Sequence, residues 1–237
     1  MAIKTALMFM AGNFVGREYF QHLDAAEMRP DLILEVGRIS QDSIEWERQR
    51  TGGLWNPKPL PESVARHSYE SLQDPSLWDL IASQDIDVVI QAGVGILKPN
   101  MISVPNIGFV NVHPGALPAY RGNACPEWQL YDGNPIVATA HLIDAGIDTG
   151  PVICANSMSI LPEWTYENIR ANIYVHCADV LIAALKRLNK WDGMNIYDVV
   201  VPQTEQNACY RPQMPNELIE ELKEKLSSGY GYRSKND

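Results

Sequence analysis

The sequence alternates short apolar runs of strand length with longer stretches in which apolar residues recur at helical spacing. This alternation is typical of parallel βαβ units. Several of the runs are apolar at successive positions, as strands must be when helices cover both faces of a parallel sheet. The predicted strands are Thr5–Met10, Leu32–Val36, Val88–Ala92, Gly108–His113, Ile136–Ile143 and Val152–Met158.

Helical periodicity predicts helices between the strands, and the clearest runs from about Thr165 to Leu188 with Thr165 as its N-cap. The other predicted helices span Val15–Asp24, Ser43–Arg50, Pro75–Gln84 and Pro126–Asp132. The pattern as a whole predicts an α/β fold, a Rossmann-like, mostly parallel sheet with helices on both faces. We expect this domain to span residues 1–190.

The pattern changes after Lys190, so residues 191–237 are expected to form a small C-terminal extension. Asn195–Pro202 reads as a strand-like segment, Asn216–Leu226 has the spacing of a short helix, and the tail over 227–237 is expected to be frayed. Because an apolar edge segment can pair with a second copy, Asn195–Pro202 also suggests a homodimer.

The charge balance argues against nucleic acid as a partner. The chain has 29 acidic and 19 basic side chains, a formal net charge of −10, and no run of three basic residues. Binding to nucleic acid needs Lys and Arg to neutralise phosphates. The longest apolar runs are about ten residues, against the roughly 20 that cross a bilayer, so no membrane association is expected.

Cysteine usage points to the cytoplasm. The four cysteines are far apart, form no CxxC pair and have no clustered histidines, so neither a disulfide scaffold nor a metal site is expected. They are Cys125, Cys154, Cys177 and Cys209.

Two polar residues stand at the end of the fourth predicted strand. Asn111 and His113 are two positions apart, so their side chains share one face of the strand, and Pro114 ends it. Open α/β sheets bind ligands at the carboxyl ends of their strands. A single buried histidine is more often structural, and His141 on the next strand is interpreted that way.

A second segment strengthens the functional interpretation. HLIDAGIDTGPVI reads as a strand, a glycine-punctuated loop carrying Asp144 and Asp148, and another strand. A carboxylate held by such a loop can orient an imidazole, raise its pKa or hold a water for proton transfer.

The first strand leads into two glycines, Gly12 and Gly16, without the third glycine of a dinucleotide fingerprint. Two interpretations stay open for this turn. It is either a tight connection at the mouth of the sheet or a contact for an anionic substrate at the N-terminus of a helix.

These motifs together resemble the folate-dependent formyltransferases. The resemblance rests on Asn111-x-His113, on LPxYRG over residues 117–122, and on DxGxDTGP over residues 144–151. His113 and Asp148 lie 35 positions apart, close to the spacing in that family. The segment AGVGIL before them is part of the same resemblance. The tail segment from Gln203 to Tyr210 resembles that of the sugar-nucleotide N-formyltransferases, to which the sequence looks most similar.

The resemblance implies transfer of a formyl group from 10-formyltetrahydrofolate to an amine, with no metal. Asn111 would donate a hydrogen bond to the oxyanion of the tetrahedral intermediate. His113 would act either as the base that takes the amine proton or, protonated, as support for the oxyanion. Asp148 would hold the His113 tautomer and position a relaying water.

The resemblance also implies two folate-binding segments. These are the loop with Gly93, Val94, Gly95, Ile96 and Leu97, and the loop with Asp144, Ala145 and Gly146. Plain core packing competes as the explanation of the aliphatic residues in the first loop. For Asp144 two roles stay open, ligand binding and shaping of its own loop.

Four residues are expected to contact the acceptor. Gly12 and Asn13 would supply backbone or amide donors, and Arg121 would meet a phosphate. Trp55, in the Gly/Pro-rich segment 51–61, would stack on a sugar or base.

Several acceptors compete. A nucleotide-linked amino-dideoxysugar, used for surface polysaccharides such as the lipopolysaccharide O-antigen, fits best. Initiator tRNA is disfavoured by the net charge and by the short extension after residue 190, and glycinamide ribonucleotide and formyltetrahydrofolate hydrolysis fit less well. A folate- or nucleotide-binding module without turnover is the alternative outside catalysis.

Overall fold

The computed structural model describes residues 3–228. Its strands are β1 (Thr5–Ala11), β2 (Leu32–Arg38), β3 (His67–Tyr69), β4 (Val88–Ala92), β5 (Gly108–His113), β6 (Arg121–Gly122), β7 (Val137–Leu142), β8 (Val152–Ser157) and β9 (Tyr210–Arg211). Its helices are α1 (Phe14–Ala25), α2 (Gln41–Arg50), α3 (Pro75–Ser83), α4 (Pro99–Ile102), α5 (Cys125–Tyr131), α6 (Tyr166–Leu188) and α7 (Asn216–Ser227), and Ile196–Asp198 is a 3-10 helix.

The main sheet has seven strands in the order β3-β2-β1-β4-β5-β7-β8. The first five are parallel, and β7 and β8 run antiparallel to their neighbours. The prediction of a mostly parallel α/β sheet is confirmed, and all six predicted strands are present. The edge strand β3 was missed because it has three residues and no apolar alternation.

Both faces of the sheet are buried, as the apolar runs predict. On β1, Leu7 and Phe9 belong to the core that contains buried residues of α1 and α6, whereas Ala6 and Met8 belong to the core beneath α3. Thr165 caps α6 as predicted, and its side chain accepts a hydrogen bond from the Asn168 backbone N–H. Among residues 3–228, no helix is long and apolar enough to cross a membrane.

The C-terminal segment differs from expectation at Asn195–Pro202. The Asn195 side chain accepts a hydrogen bond from the Tyr197 backbone N–H, and this local bond caps the 3-10 helix in place of a strand. Farther on, Val201 forms an isolated antiparallel bridge with Val152. The predicted continuous strand is therefore wrong, and the homodimer stays a prediction. Helix α7 is present, and the predicted frayed tail from residue 229 onward lies outside the described residues.

A second, two-stranded sheet joins β6 to β9 in parallel. The Arg121 N–H donates to the Cys209 carbonyl at 2.9 Å, and the Asn123 N–H donates to the Arg211 carbonyl at 2.9 Å. This pairing places the chain after residue 201 next to the LPxYRG segment.

The turn from β1 into α1 explains both glycines of its motif. Gly12 has a φ of +88°, which favours glycine. Gly16 lies against the Phe9 ring so closely that a Cβ would overlap the ring. The second glycine therefore permits the close approach of α1 to β1.

Gly16→Ala is expected to lower the free energy of unfolding by about 1–3 kcal/mol, because overpacking a core costs this much. Helix propensity alone predicts the opposite sign, a stabilisation of about 1 kcal/mol. Urea unfolding measures the change, and in a Phe9→Leu background the cost should shrink. A stabilised Gly16→Ala protein would contradict the close contact.

Candidate active site

Three polar residues from two segments meet at the carboxyl end of β5. Asn111 and His113 lie on one face of the strand because successive residues of a strand alternate between faces. Asp148 reaches the same place from the loop between β7 and β8, with its Oδ2 3.5 Å from His113 Nδ1. The structure therefore brings together the three residues expected to carry the chemistry.

A backbone carbonyl fixes which ring nitrogen of His113 carries the proton. Its ring is buried, and its Nε2 lies 2.7 Å from the Tyr120 carbonyl oxygen. Because a carbonyl oxygen only accepts, Nε2 must carry the proton, and Nδ1 of the neutral ring keeps its lone pair. Burial lowers the pKa of His113, while the Asp148 carboxylate and the Tyr120 carbonyl oppose that shift. The neutral ring can accept a proton at Nδ1, and Asp148 would stabilise the resulting cation.

Gly115 makes room for this arrangement. A Cβ at this position would lie 2.5 Å from His113 Nε2 and 2.6 Å from the Tyr120 carbonyl oxygen. Both distances are well inside van der Waals contact. The first glycine of the segment after β5 is therefore required for the hydrogen bond between the imidazole and the carbonyl.

Asp148 is held in an uncommon backbone conformation. Its φ is +55°, in the left-handed region that non-glycine residues seldom adopt. Its Oδ2 accepts a hydrogen bond from the Gly122 N–H at 2.9 Å. Its Oδ1 lies 3.7 Å from His141 Nε2. The carboxylate thus faces two imidazoles and one backbone donor.

His141, interpreted from the sequence as structural, also contacts the site directly. It lies opposite Asn111 on β7. Its Nδ1 is 2.9 Å from the Leu142 carbonyl oxygen and must donate a hydrogen bond there. Its Nε2 is therefore unprotonated and can accept a hydrogen bond from Asn111 Nδ2, which is 3.3 Å away. Burial lowers the pKa of His141 to about 4, with Asp148 opposing the shift. A neutral His141 therefore orients the Asn111 amide, and the second N–H of that amide is left for a ligand. Only the through-space contacts reveal this role.

The loop after β4 is anchored at two positions and open at the others. Gly93 and Gly95 have φ values of +80° and +89°. Val94 and Leu97 are buried in the core beneath α3, as the packing alternative predicts. Ile96 is 83% exposed. The loop therefore offers backbone and one aliphatic side chain at the carboxyl end of the sheet.

The loop that carries Asp148 is shaped from within. Asp144 Oδ1 accepts hydrogen bonds from the Gly146 N–H at 3.1 Å and from the Thr149 hydroxyl at 2.5 Å. These bonds match the loop-shaping alternative for Asp144. Ala145 and Gly146 are exposed, and Ile147 is an exposed aliphatic side chain, as Ile96 is on the loop after β4.

A cavity of about 250 Å³ opens where Asn13 meets the loop after β4. Asn13 caps α1, and its Oδ1 accepts from the Val15 N–H at 2.7 Å. A Cβ at Gly93 would lie 3.0 Å from Asn13 Nδ2, so the two loops touch. The cavity is lined by Asn13, Phe14, Val15, Ile39, Ser43, Ile44, Trp46, Glu47, Trp55, Gly93 and Tyr174.

The expectation that Trp55 is a free stacking surface is wrong. Trp55 is 4% exposed. Its ring stacks on Tyr174 at 4.6 Å between centroids, meets Phe14 edge-on at 5.5 Å, and its Nε1 donates to Glu18 Oε2 at 2.8 Å. These partners, distant in sequence, make it part of the cavity wall.

The expectation that Arg121 meets a phosphate is also wrong. Arg121 is 1% exposed. Its guanidinium donates to Gln203 Oε1 at 3.0 Å and to Glu205 Oε1 at 3.3 Å. Partners more than 80 positions away thus occupy its donors.

Helix α2 supplies two cavity residues that no sequence motif indicated. The Glu47 carboxylate lines the cavity, and its buried Oε2 has no hydrogen-bond partner among residues 3–228. Trp46 lies at the rim, half exposed, with the Arg50 guanidinium 4.0 Å from its ring centre. The helix itself was predicted, but it has no buried residue, so the sequence pattern did not indicate that Trp46 and Glu47 would line a cavity.

An ion-pair cluster ties α2 to the rest of the fold. Arg50 lies 3.2 Å from Glu127 Oε1 on α5, and Arg170 on α6 lies 3.4 Å from the same oxygen. The Tyr166 hydroxyl donates to that oxygen at 3.0 Å. The position of α2, and with it the cavity wall formed by Trp46 and Glu47, therefore depends on the ion pair between Arg50 and Glu127.

Comparison with known proteins gives matches to formyltransferases. The family profile described as formyl transferase matches residues 47–185. The chain is 30% identical over 173 residues to the methionyl-tRNA formyltransferase of Thermosynechococcus vestitus, covering 70% of this chain and 50% of that protein. The chain spans about half the length of the curated relatives it matches.

Solved structures share the fold. A phosphoribosylglycinamide formyltransferase from Anaplasma phagocytophilum is 16% identical with a TM-score of 0.60, covering 89% of this chain and 98% of that one. A sugar N-formyltransferase from a Shewanella species is 13% identical with a TM-score of 0.57, covering 88% of this chain and 76% of that one.

The free energy of unfolding is expected to fall as the pH drops from about 6.5 to about 4. In this window an unfolded histidine, with a pKa near 6.5, binds a proton that the folded His141, with a pKa of about 4, does not. His141→Gln should reduce the slope by up to about 1.4 kcal/mol per pH unit. Urea unfolding across pH measures it, with the exposed His67→Gln as control. An unchanged slope in His141→Gln would refute the buried, neutral state.

Proposed function

Because the chain belongs to the formyl transferase family, we propose that it transfers a formyl group from 10-formyltetrahydrofolate to the primary amine of a nucleotide-linked amino-dideoxysugar. The observation that carries the proposal is the cluster of Asn111, His113 and Asp148, with His113 Nδ1 3.5 Å from Asp148 Oδ2. A binding module without turnover would have no use for a base, a charge partner and an oriented amide in one place.

His113 acts as the base in this proposal. Attack of a neutral amine on the formyl carbon leaves a proton to remove from the amine nitrogen. His113 Nδ1 takes it, since Nε2 is committed to the Tyr120 carbonyl, and Asp148 balances the new positive charge. The imidazolium then returns the proton to the folate nitrogen as its bond to the formyl carbon breaks. The lowered pKa of His113 favours this role over a permanently protonated ring.

Asn111 stabilises the oxyanion. One hydrogen of its amide is directed at His141 Nε2, and the other is free to meet the negative oxygen of the tetrahedral intermediate. A preorganised donor of this kind contributes about 10²–10³ in rate. The His141 contact supports the proposal because it holds the amide nitrogen, rather than the amide oxygen, toward the site.

The two loops at the site suit a flat, partly apolar folate. Gly95 has no atom within 4 Å of the place where its Cβ would lie, so a ring can approach the backbone there. Ile96 and Ile147 are exposed on the two loops and offer apolar contacts to such a ring. We assign folate binding to the predicted residues of both loops, with Val94, Leu97 and Asp144 shaping the loops.

The cavity next to Asn13 supports a sugar acceptor. It combines aromatic walls with the Glu47 carboxylate, and a carboxylate suits the hydroxyl donors of a sugar. Its volume of about 250 Å³ suits a single sugar ring better than a whole nucleotide sugar, which would extend past Trp46 at the rim. Gly12 and Asn13 remain assigned to this acceptor site.

Methionyl-tRNA is the second candidate acceptor. It is favoured by the 30% identity to the Thermosynechococcus vestitus methionyl-tRNA formyltransferase. The net charge of −10 weighs against it, since tRNA binding depends on neutralised phosphates.

A panel of acceptors tests the proposal. The protein is incubated with 10-formyltetrahydrofolate and nucleotide-linked 3- or 4-amino sugars, with glycinamide ribonucleotide and methionyl-tRNA in parallel, and folate absorbance reports turnover. Turnover with an amino sugar is expected. Turnover with methionyl-tRNA alone would replace the sugar by the second candidate, and no turnover with any acceptor would refute formyl transfer.

His113→Asn is expected to abolish formyl transfer, with a loss in kcat of at least about 10²-fold, because general base catalysis contributes roughly 10²–10⁴-fold. Tetrahydrofolate binding, measured by calorimetry, should survive, since the ring lies outside the two folate loops. His67→Asn on the edge strand is the matched control and should keep full activity. Near-normal turnover in His113→Asn would eliminate the assigned role.

A further inference from the structure

Gln203 makes four hydrogen bonds that join three parts of the site. Its Nε2 donates to the Asp148 carbonyl at 2.9 Å and to the Gly150 carbonyl at 2.7 Å. Its Oε1 accepts from Arg121 Nη2 at 3.0 Å and from Arg121 Nε at 3.3 Å. The amide of this one side chain from the C-terminal segment thus uses its donors on the loop of Asp148 and its acceptor on the LPxYRG segment.

The position of Gln203 is itself determined by buried contacts. Arg121 is almost fully buried, and the Cys209 carbonyl accepts its backbone N–H at 2.9 Å. On the other side, Val201 bridges to Val152 at the start of β8. The two anchors flank Gln203 in the sequence, so its amide has little freedom to move.

The loop of Asp148 needs an external support at this point. Asp144 holds the first part of the loop through Gly146 and Thr149. Asp148 itself has a left-handed backbone, which persists only where the surroundings impose it. The two carbonyls that Gln203 binds belong to the peptide groups 148–149 and 150–151, so the amide fixes the planes of these two peptides.

We propose that Gln203 is a positioning residue, which sets the direction of the Asp148 carboxylate toward His113 by holding the carbonyls of residues 148 and 150. This inference rests on the proposed formyl transfer, since it assigns Asp148 a part in that reaction. The Gln203 amide hydrogen-bonds to Arg121 and to two backbone carbonyls rather than to His113 or Asn111, so in this proposal its effect on the reaction passes through Asp148. It follows that Gln203 should lose its influence once the Asp148 charge is absent.

A double-mutant cycle tests this dependence. Gln203→Leu is made in the wild-type protein and in Asp148→Asn, and kcat is measured in all four proteins. In the wild-type background we expect kcat to fall about 10- to 100-fold, as small displacements of catalytic groups do, with tetrahydrofolate affinity unchanged. In the Asp148→Asn background the same substitution should change kcat by less than about twofold.

Histidine titration by NMR gives a second readout that needs no substrate. His113 is faced by Asp148 and by His141, and its pKa is raised by the Asp148 carboxylate and by the Tyr120 carbonyl, of which only the first is a charge. Gln203→Leu should therefore lower the pKa of His113 in the wild-type background and leave it unchanged in Asp148→Asn. A direct effect of the freed Arg121 charge would instead persist in Asp148→Asn.

The controls separate positioning from general damage. Gln206→Leu removes an exposed glutamine three positions away and should change neither readout. If Gln203→Leu does not fold, Gln203→Met enters the same cycle, since it keeps the length of the side chain and removes the two amide donors. Equal effects in both backgrounds, or none in the wild type, overturn the inference. Failure of all acceptors would refute formyl transfer, while the titration cycle would still decide the positioning by Gln203.

Discussion

The candidate site depends on one partly buried carboxylate. Asp148 faces His113, His141 and the Gly122 N–H, which come from β5, β7 and β6. Without its charge, two imidazoles would share a buried place with no counter-ion, and protonating either would be costly. The charge also reaches the Cys125 thiol, whose pKa burial and Asp148 together raise to about 12. The main sheet, the small sheet and the loops between them therefore converge on a single negative group.

The two imidazoles have different roles because different backbone carbonyls fix their protons. Tyr120 binds Nε2 of His113, which leaves Nδ1 as the basic atom next to Asp148. Leu142 binds Nδ1 of His141, which leaves Nε2 to accept from Asn111. The same side chain thus serves as a proton acceptor in one case and as a support for an amide in the other. Neither assignment follows from residue type.

The sequence predicted those features of the site that depend on neighbouring residues, and missed those that depend on residues far apart in the chain. Period-two alternation on β5 predicted that Asn111 and His113 share a face, and the glycine-rich loop predicted a held Asp148, because both patterns are local. Trp55 and Arg121 were misassigned because their partners lie far along the chain, at Tyr174 and Gln203. Two-residue strands such as β6 and β9 have no periodicity to detect, although they bring the C-terminal segment to the site.

The residues proposed for catalysis and the cavity proposed for the acceptor are held by different parts of the fold. Asn111, His113 and His141 stand on strands of a sheet buried on both faces, so their spacing is set by the hydrogen-bond ladder. The acceptor cavity is walled by α2, which buries no residue of its own and is tied to the fold by Arg50 and Glu127. Substitutions on the exposed side of α2 can alter the cavity without disturbing β5. A chain built this way can keep one reaction while its acceptor changes, so specificity is best sought at Trp46 and Glu47 rather than among the residues around Asp148.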